Sequence, residues 1–280
     1  MNQTKKKNPL KRLLSMRGMG QVVTVTIGLI VLLVAFALIN PNFWSPTNRT
    51  NLLRQIAPIL IIGIAQSYVL ITGNIDLSIG SVVGMSTMVA ATLMSKGIMS
   101  PIPALLVTLL CCLLIGVLNG LLVAKFKLPP FIATLGTMTV ARGIAQLVNG
   151  NYNTDSIMKF YPEAAQTFKN VFYYGKTLGL YNGIWIAIIL WIVFNFLLSK
   201  TRNGRYIYAT GSNIDAARLS GVNVVSTTVI AYVVSAFCSF VVGIITCATV
   251  GQGTMDAGNS YEMYAVAASV IGGVSTLSGQ

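Results

Sequence analysis

Charged residues are absent from long intervals of this chain, and the apolar residues there run continuously instead of alternating with polar ones. A membrane-spanning helix needs about 20 mostly apolar residues, with a usual range of roughly 17–25. A transmembrane β-barrel would show short segments of alternating hydrophobicity. The pattern therefore predicts an all-α, polytopic bundle of transmembrane helices with about eight spans, at residues 21–39, 55–72, 77–95, 102–124, 130–148, 183–199, 225–250 and from about 262 onward.

Two polar segments between the predicted spans are longer than the others. Residues 149–182 are rich in aromatic and polar side chains, and residues 200–224 carry several basic ones. The pattern indicates a basic N-terminal segment, residues 1–20, followed by a single transmembrane domain at 21–280. If the N-terminus is cytoplasmic, alternation of the spans makes 149–182 an external loop and 200–224 a cytoplasmic one.

The sequence ITGNIDLSIGS, residues 71–81, places a single carboxylate, Asp76, in one of the most apolar parts of the chain. An ionised side chain at mid-bilayer costs roughly 2.5–3.5 kcal/mol on insertion scales. Gly73 and Gly80 permit backbone conformations that a regular helix does not, so we predict a discontinuous helix near residues 73–80. Two compatible interpretations follow: Asp76 caps the next helix, or the interruption lines a polar path.

Composition supports the membrane class and excludes several kinds of chemistry. The 280 residues are 54% hydrophobic and only 9% charged, whereas soluble domains carry about 25% charged residues. The chain has no His, which excludes histidine metal sites and histidine acid–base catalysis. The four cysteines lie in apolar runs without a C-x-x-C spacing, so we interpret them as small core residues. We expect no metal and no cofactor.

In a soluble protein the net charge of +13 would suggest a nucleic-acid partner. With a cytoplasmic N-terminus, however, twelve Lys and Arg residues lie on the cytoplasmic side and six on the external side. This bias agrees with the positive-inside rule, so we expect a cytoplasmic N-terminus and no nucleic-acid partner. Arg142 lies within a span, where facing a path and reaching the outer surface are both open interpretations.

Residues 211–221, GSNIDAARLSG, predict a short helix in the cytoplasmic loop. Asn213 or Ser212 is suited to the N-cap, and Gly221 to the position after the last turn. Asp215 and Arg218 form a polar edge, and the apolar surface comes from Ile214, Ala217 and Leu219. The segment is either a plain loop helix or a place where an energy-supplying partner docks through apolar anchors.

Several segments, in order from about residue 40 to 280, resemble the ribose-type permeases of bacterial sugar ABC importers. They are NPNFWSPTNRTNLLRQIA, VLITGNIDLSIGSVVGM, LPPFIATLGTMTVARGIA, GRYIYATGSNIDAARLSGVNV and YEMYAVAASVIGGVSTLSG. The resemblance implies a non-enzymatic, multi-pass subunit of the bacterial cell membrane. Two permease chains, identical or different, would form the pore, a separate pair of cytoplasmic ABC ATPase subunits would drive it, and an extracytoplasmic sugar-binding protein would deliver the solute.

The resemblance also assigns site residues. Family members have about ten spans and continue past the last motif, so we expect this chain to lack its C-terminal helices. Segment 204–221 is expected to contact the ATPase, through Gly204, Arg205, Tyr206, Asn213, Ala216, Ala217, Arg218, Leu219 and Gly221.

A neutral, hydroxyl-rich sugar needs a path of weakly polar groups. The candidates are Asn74, Asp76, Ser78, Asn119, Thr134, Thr137 and Asn149. Each of these also fits a role in helix packing, because small polar residues let membrane helices approach closely.

Three alternatives from other classes are weighed against this interpretation. An ion-driven secondary transporter would need no ATPase, but Asp76 has no second intramembrane acid beside it. A membrane-embedded enzyme would need a catalytic constellation, and the sequence has neither paired carboxylates nor a P-loop motif. The third is a truncated permease that does not transport. The solute itself stays open among ribose, xylose, galactose, other sugars and autoinducers.

Overall fold

The computed structural model describes residues 19–274, and nearly all of that part is helical. The basic residues of the N-terminal segment and the final LSG motif lie outside this part. The α-helices within it are α1 Met19–Ile39, α2 Pro46–Ile71, α3 Ile79–Ser95, α4 Pro101–Ala124, α5 Pro130–Leu147, α6 Pro162–Lys169, α7 Asn182–Lys200, α8 Arg202–Ser212, α9 Ile214–Leu219, α10 Val224–Val250 and α11 Tyr261–Ile271. A π-helical turn, Asn170–Tyr174, and a two-stranded antiparallel hairpin, β1 Lys176–Thr177 and β2 Leu180–Tyr181, complete the list.

Every predicted span corresponds to one of these helices, which confirms the all-α, polytopic membrane architecture. Four helices, α2, α4, α7 and α10, have the length and hydropathy of a full membrane span, and the segment Val23–Ile39 of α1, with α3 and α11, is apolar over a shorter length. Helix α2 begins nine residues before the predicted start of its span. Pro46 occupies its first turn and the Ser45 side chain accepts the Asn48 N–H, so the helix has a well-formed start outside the apolar run.

Helices α3 and α10 form the centre of the bundle, and α1 lies at its periphery. All residues of α3 except Leu93 are buried, whereas no described side chain of α1 is buried. Three cysteines, Cys112, Cys238 and Cys247, are buried in the core and Cys111 is half-buried, as expected of small apolar residues.

Helices α4 and α10 touch backbone to backbone through two glycines that the sequence analysis did not single out. A Cβ on Gly116 would lie 2.7 Å from Cβ of Ala236, and a Cβ on Gly120 would lie 2.5 Å from Cα of Val229. The spacing is that of a GxxxG motif, which allows close helix approach in membranes. The sequence contains this motif, but it does not indicate that α10 is the helix packed against it.

The chain leaves regular helix at two places inside the bundle. The first is the break predicted near residues 73–80. The structure places it at residues 72–78, with Gly73 at a φ of +78°. The second, residues 251–260, was not predicted. This second segment runs back along α3, so that Gly253 lies against Ala91 and Gly258 lies against Gly80. Helix α11 therefore begins beside the start of α3, within the bundle.

The two long polar segments mark opposite ends of the bundle. Residues 148–181 contain α6, the π-helical turn and the hairpin, and this segment pairs with the second irregular segment. Thr154 N–H donates to the Gly253 carbonyl at 3.0 Å, and Gly253 N–H donates to Thr154 Oγ1 at 2.8 Å. We call this the hairpin end, and the end that carries α8 and α9 the α8–α9 end.

Candidate functional site

Asp76 sits in the break between α2 and α3, with 2% of its surface exposed, and its carboxylate is fully engaged. Oδ1 accepts the Ser78 N–H at 2.8 Å and the Ser78 hydroxyl at 2.6 Å. Oδ2 accepts the Ser235 hydroxyl of α10 at 2.7 Å. The carboxylate thus satisfies one backbone donor at the start of α3, but the N-cap of that helix is Ser78 and not Asp76, the residue that the capping interpretation predicts.

A chain of hydrogen bonds continues from Asp76 through three other predicted residues. Asn119 of α4 donates to the Ser78 hydroxyl at 2.9 Å, and Thr137 of α5 donates to Asn119 Oδ1 at 2.6 Å. On the other side, Tyr232 of α10 donates to the Ile75 carbonyl at 3.0 Å. This polar network joins the break to α4, α5 and α10.

The polar network lies deep in the bundle. With a rise of ~1.5 Å per residue, Asn119 and Thr137 are about 8–10 Å from the ends of α4 and α5 nearest α8. All four predicted members are buried and hydrogen-bonded in this conformation. The arrangement stabilises a carboxylate and an irregular backbone in an apolar environment, where an unpaired polar group is costly.

Two members of the network, Ser235 and Tyr232, were missed by the sequence analysis. A buried carboxylate must find donors, so partners for Asp76 were required. Both residues lie in the apolar run that forms α10, which also contains other Ser and Thr residues. Only the packing of α10 against the break selects these two.

The remaining predicted path residues are not part of one cluster. Asn74 donates to Thr72 Oγ1 at 2.8 Å within the break. Thr134 is buried and donates to its own helix, at the Pro130 carbonyl. Asn149 lies at the hairpin end, where it donates to the carbonyls of Tyr152 and Asn153 and holds a loop together.

A cavity of about 720 Å³ lies between the break and the α8–α9 end. Its wall includes Thr72, Gly73 and Asn74 of the break, as well as Arg218. The rest is formed by the end of α4 and the residues around the α8–α9 and α9–α10 junctions. The cavity therefore connects the two regions that the sequence analysis named, the break and the cytoplasmic loop.

The segment 200–224 is more helical than predicted, because α8 precedes the expected short helix. Thr201 caps α8 by accepting the Gly204 N–H, and buried Gly204, Ile207 and Thr210 follow at helical spacing on its inner side. The predicted short helix is confirmed as α9, with Asn213 as its N-cap and Gly221 after its end at a φ of +81°.

The surface of α9 differs in one respect from the expectation. Leu219 is 90% exposed and Ile214 is also exposed, but Ala217 is only 4% exposed. The prediction that Ala217 supplies apolar surface is wrong, because it lies on the side of α9 that packs inward. The predicted polar edge is present, with Arg218 Nη1 3.6 Å from Asp215 Oδ1.

The other residues assigned to this segment divide between surface and interior. Arg205 and Ala216 are exposed, Tyr206 is half-buried, and its hydroxyl is 2.6 Å from Nε of Arg202. The exposed part of α8–α9 thus combines apolar side chains, Leu219 and Ile214, with the charged side chains of Arg205, Asp215 and Arg218.

Arg142, which the sequence left undecided, supports the second irregular segment. Its Nη1 donates to the carbonyls of Met255 and Ala257 at 2.9 and 3.0 Å. Gly84 of α3 provides the room, since a Cβ there would lie 2.7 Å from the same nitrogen. The guanidinium therefore satisfies backbone carbonyls that no helix ladder reaches.

Comparison with known proteins decides the family. The family model described as "Branched-chain amino acid transport system / permease component" matches residues 48–280. The chain belongs to this family of permeases. The resemblance to ribose-type sugar permeases is confirmed as well, since 39% of 257 residues are identical to the ribose import permease of Haemophilus influenzae, covering 91% of this permease and 77% of that relative.

Other relatives extend the similarity to several sugar systems. The ribose import permease of Bacillus subtilis is 34% identical over 91% of this permease and 77% of its own length. The galactofuranose transporter permease of Escherichia coli is 35% identical over 97% of this permease and 79% of its own length. No solved structure matches the chain.

Proposed function

We propose that this permease is the membrane-spanning subunit of an ATP-driven importer and that it forms the translocation path for a monosaccharide. The observation that carries the proposal is the 39% identity to a ribose import permease over 91% of the chain. Further relatives are named for D-allose and for galactose and methyl galactoside. Those names support a monosaccharide as the solute class but do not select one.

The energy for transport is proposed to come from a separate ABC ATPase that docks on the α8–α9 end. Leu219, almost fully exposed and next to Arg218 in the chain, offers an apolar anchor with a charged neighbour. Helical anchors of this kind enter grooves on partner proteins. This proposal places α8 and α9 in the cytoplasm, the N-terminus on the same side, and the hairpin end outside, where a sugar-binding protein would deliver the solute.

The proposed path runs beside the break, in a dimer of permease chains. The polar network would hold the break in place, and Asn74 and Thr72 would present polar groups to the 720 Å³ cavity at the cytoplasmic side. Motion of α8 and α9 would change the shape of this cavity next to the break, because residues of the break and of the α8–α9 end both line it.

Uptake measurements test the solute and the energy source together. Cells lacking other sugar importers would carry the permease with its neighbouring ATPase and binding-protein genes, and receive labelled ribose, galactose, allose or leucine. We expect uptake of at least one sugar but not of leucine. This uptake should stop when ATP is depleted and should continue in the presence of an uncoupler. Uptake of leucine alone would contradict a monosaccharide as the solute. Uptake that stops with the uncoupler but survives ATP depletion would indicate a secondary transporter.

The docking surface is tested by Leu219→Asp. A charge at the apolar anchor should abolish co-purification of the ATPase, because burying an unpaired carboxylate in a docking groove is costly. The matched control is Leu178→Asp, since Leu178 is 86% exposed at the hairpin end. Unchanged co-purification of the Leu219→Asp variant would place the ATPase contact elsewhere.

A further inference from the structure

A second cavity, of about 390 Å³, opens at the hairpin end between the start of α2, the π-helical turn, the end of α10 and α11. Its polar and aromatic lining consists of Arg54, Gln55, Tyr173, Thr246, Tyr261 and Tyr264, together with Thr249. None of these residues was a candidate in the sequence analysis. We call this cavity the vestibule.

Arg54 is held in the vestibule wall by aromatic rings instead of by an acid. Its guanidinium carbon lies 4.2 Å from the ring centre of Tyr173 and 4.0 Å from that of Tyr181. Such cation–π contacts position the guanidinium without using its hydrogen-bond donors. The buried Nε has no hydrogen-bond partner, and no Asp or Glu lines the vestibule.

The vestibule collects polar groups that the described part of the chain leaves unpaired. Neither the Gln55 amide nor the phenol groups of Tyr173, Tyr261 and Tyr264 make a hydrogen bond to residues 19–274; Tyr173 and Tyr261 are half-buried, whereas Gln55 and Tyr264 are exposed. Polar groups inside a partly enclosed cavity gain from a ligand that supplies donors and acceptors.

The threonines of the vestibule contribute acceptors. Thr246 and Thr249 donate their hydroxyl protons to the carbonyls of Val242 and Ile245, one turn earlier in α10. Each hydroxyl oxygen keeps lone pairs that can accept a further hydrogen bond. The lining therefore offers both donors and acceptors around several aromatic faces.

This chemistry matches a neutral polyhydroxyl ligand of small size. Aromatic faces are apolar surfaces with a negative quadrupole, suited to the C–H face of a sugar ring, and the surrounding groups suit its hydroxyls. Small-molecule sites span about 300–1,000 Å³, so a cavity of 390 Å³ is at the small end. A metal cation would find no carboxylate there.

We propose that the vestibule is a monosaccharide-binding site where a sugar entering from the hairpin end is first held. The inference rests on the proposed function and adds a site to it. Tyr261, in the vestibule wall, begins α11, and its backbone nitrogen packs closely against Gly80 at the start of α3.

Protection of a cysteine by sugars tests the site without requiring transport. Thr249→Cys places a thiol in the vestibule, and Tyr152→Cys places one on the same end at a position 74% exposed and outside the cavity. Background reaction should be low, because three native cysteines are buried and one is half-buried. Membranes containing the full chain are treated with a thiol reagent, with and without millimolar ribose, galactose, allose or leucine.

We expect at least one sugar to slow modification of the Thr249→Cys variant several-fold and to leave the Tyr152→Cys rate unchanged. Adding Tyr264→Ala should remove most of this protection, and Tyr264→Phe should keep part of it because the ring remains. If the Thr249→Cys variant does not reach the membrane, Thr246→Cys replaces it one turn along α10.

The outcomes separate the site from the proposed function. Sugar uptake without protection at either threonine overturns the vestibule and leaves the function standing. Protection by a sugar, when none of the sugars tested is taken up, supports the vestibule and contradicts the function. Protection by leucine alone, or equal protection of Tyr152→Cys, overturns the sugar site.

Discussion

A single carboxylate in an apolar run was the most informative residue of the sequence, and the structure accounts for it. Asp76 accepts three hydrogen bonds, two from Ser78 and one from Ser235, so its cost in an apolar environment is offset locally. The prediction that a break surrounds it is confirmed. Its contact with solute remains a proposal, because the residue is buried in the conformation described.

Replacing this carboxylate should destabilise the protein. Asp76→Ala leaves the Ser78 N–H without its acceptor, and an unsatisfied buried donor costs about 1–3 kcal/mol. We expect a clearly lower melting temperature for the purified protein in lipid nanodiscs. Asp155→Ala is the control, because Asp155 forms an exposed pair with Lys159 at 2.6 Å and should leave the melting temperature nearly unchanged. Equal melting temperatures for both variants would show that the network does not stabilise the fold.

At the scale of elements, helix positions were predictable and helix contacts were not. Apolar length located every span because the bilayer sets how many residues a spanning helix needs. Helix α8 was missed although its buried residues, Gly204, Ile207 and Thr210, recur at helical spacing, because apolar length marks only the spanning helices and α8 is polar over most of its surface. The segment 251–260 was missed because its short sequence resembles an ordinary loop.

The close packing of α4 and α10 gives a prediction with a matched control. Gly120→Ala places a Cβ 2.5 Å from Cα of Val229, so the helices must separate, at a cost of about 1–3 kcal/mol. Gly136→Ala on α5 meets nothing within 4 Å and should be neutral or slightly stabilising, since alanine favours helix. Thermal unfolding of the two variants measures the difference, and similar curves would contradict the observed approach.

At the scale of the whole molecule, the bundle has two structurally different ends. The α8–α9 end carries the exposed Leu219 and the 720 Å³ cavity, whereas the hairpin end carries the vestibule. The polar network and the two irregular segments lie between them. The proposed importer would use this division, because solute delivery and energy supply would act on opposite faces of the membrane.

The orientation of the two ends is directly measurable. Leu178→Cys and Leu219→Cys place thiols at positions 86% and 90% exposed, one at each end. In intact cells a membrane-impermeant maleimide should label Leu178→Cys at once and Leu219→Cys only after permeabilisation. The reverse pattern would invert the proposed topology and remove α8 and α9 from reach of a cytoplasmic ATPase.

The sequence alone determined the class of the protein, the positions of its long helices, the break at Asp76 and the short helix α9. These features depend on local composition: apolar length, glycine and a capping side chain act within a few residues. The tertiary structure decided which polar residues meet. Ser235 with Asp76, Arg142 with the 251–260 carbonyls, and Arg54 between Tyr173 and Tyr181 are each distant in sequence. Such pairs form only after helix packing fixes which faces oppose each other.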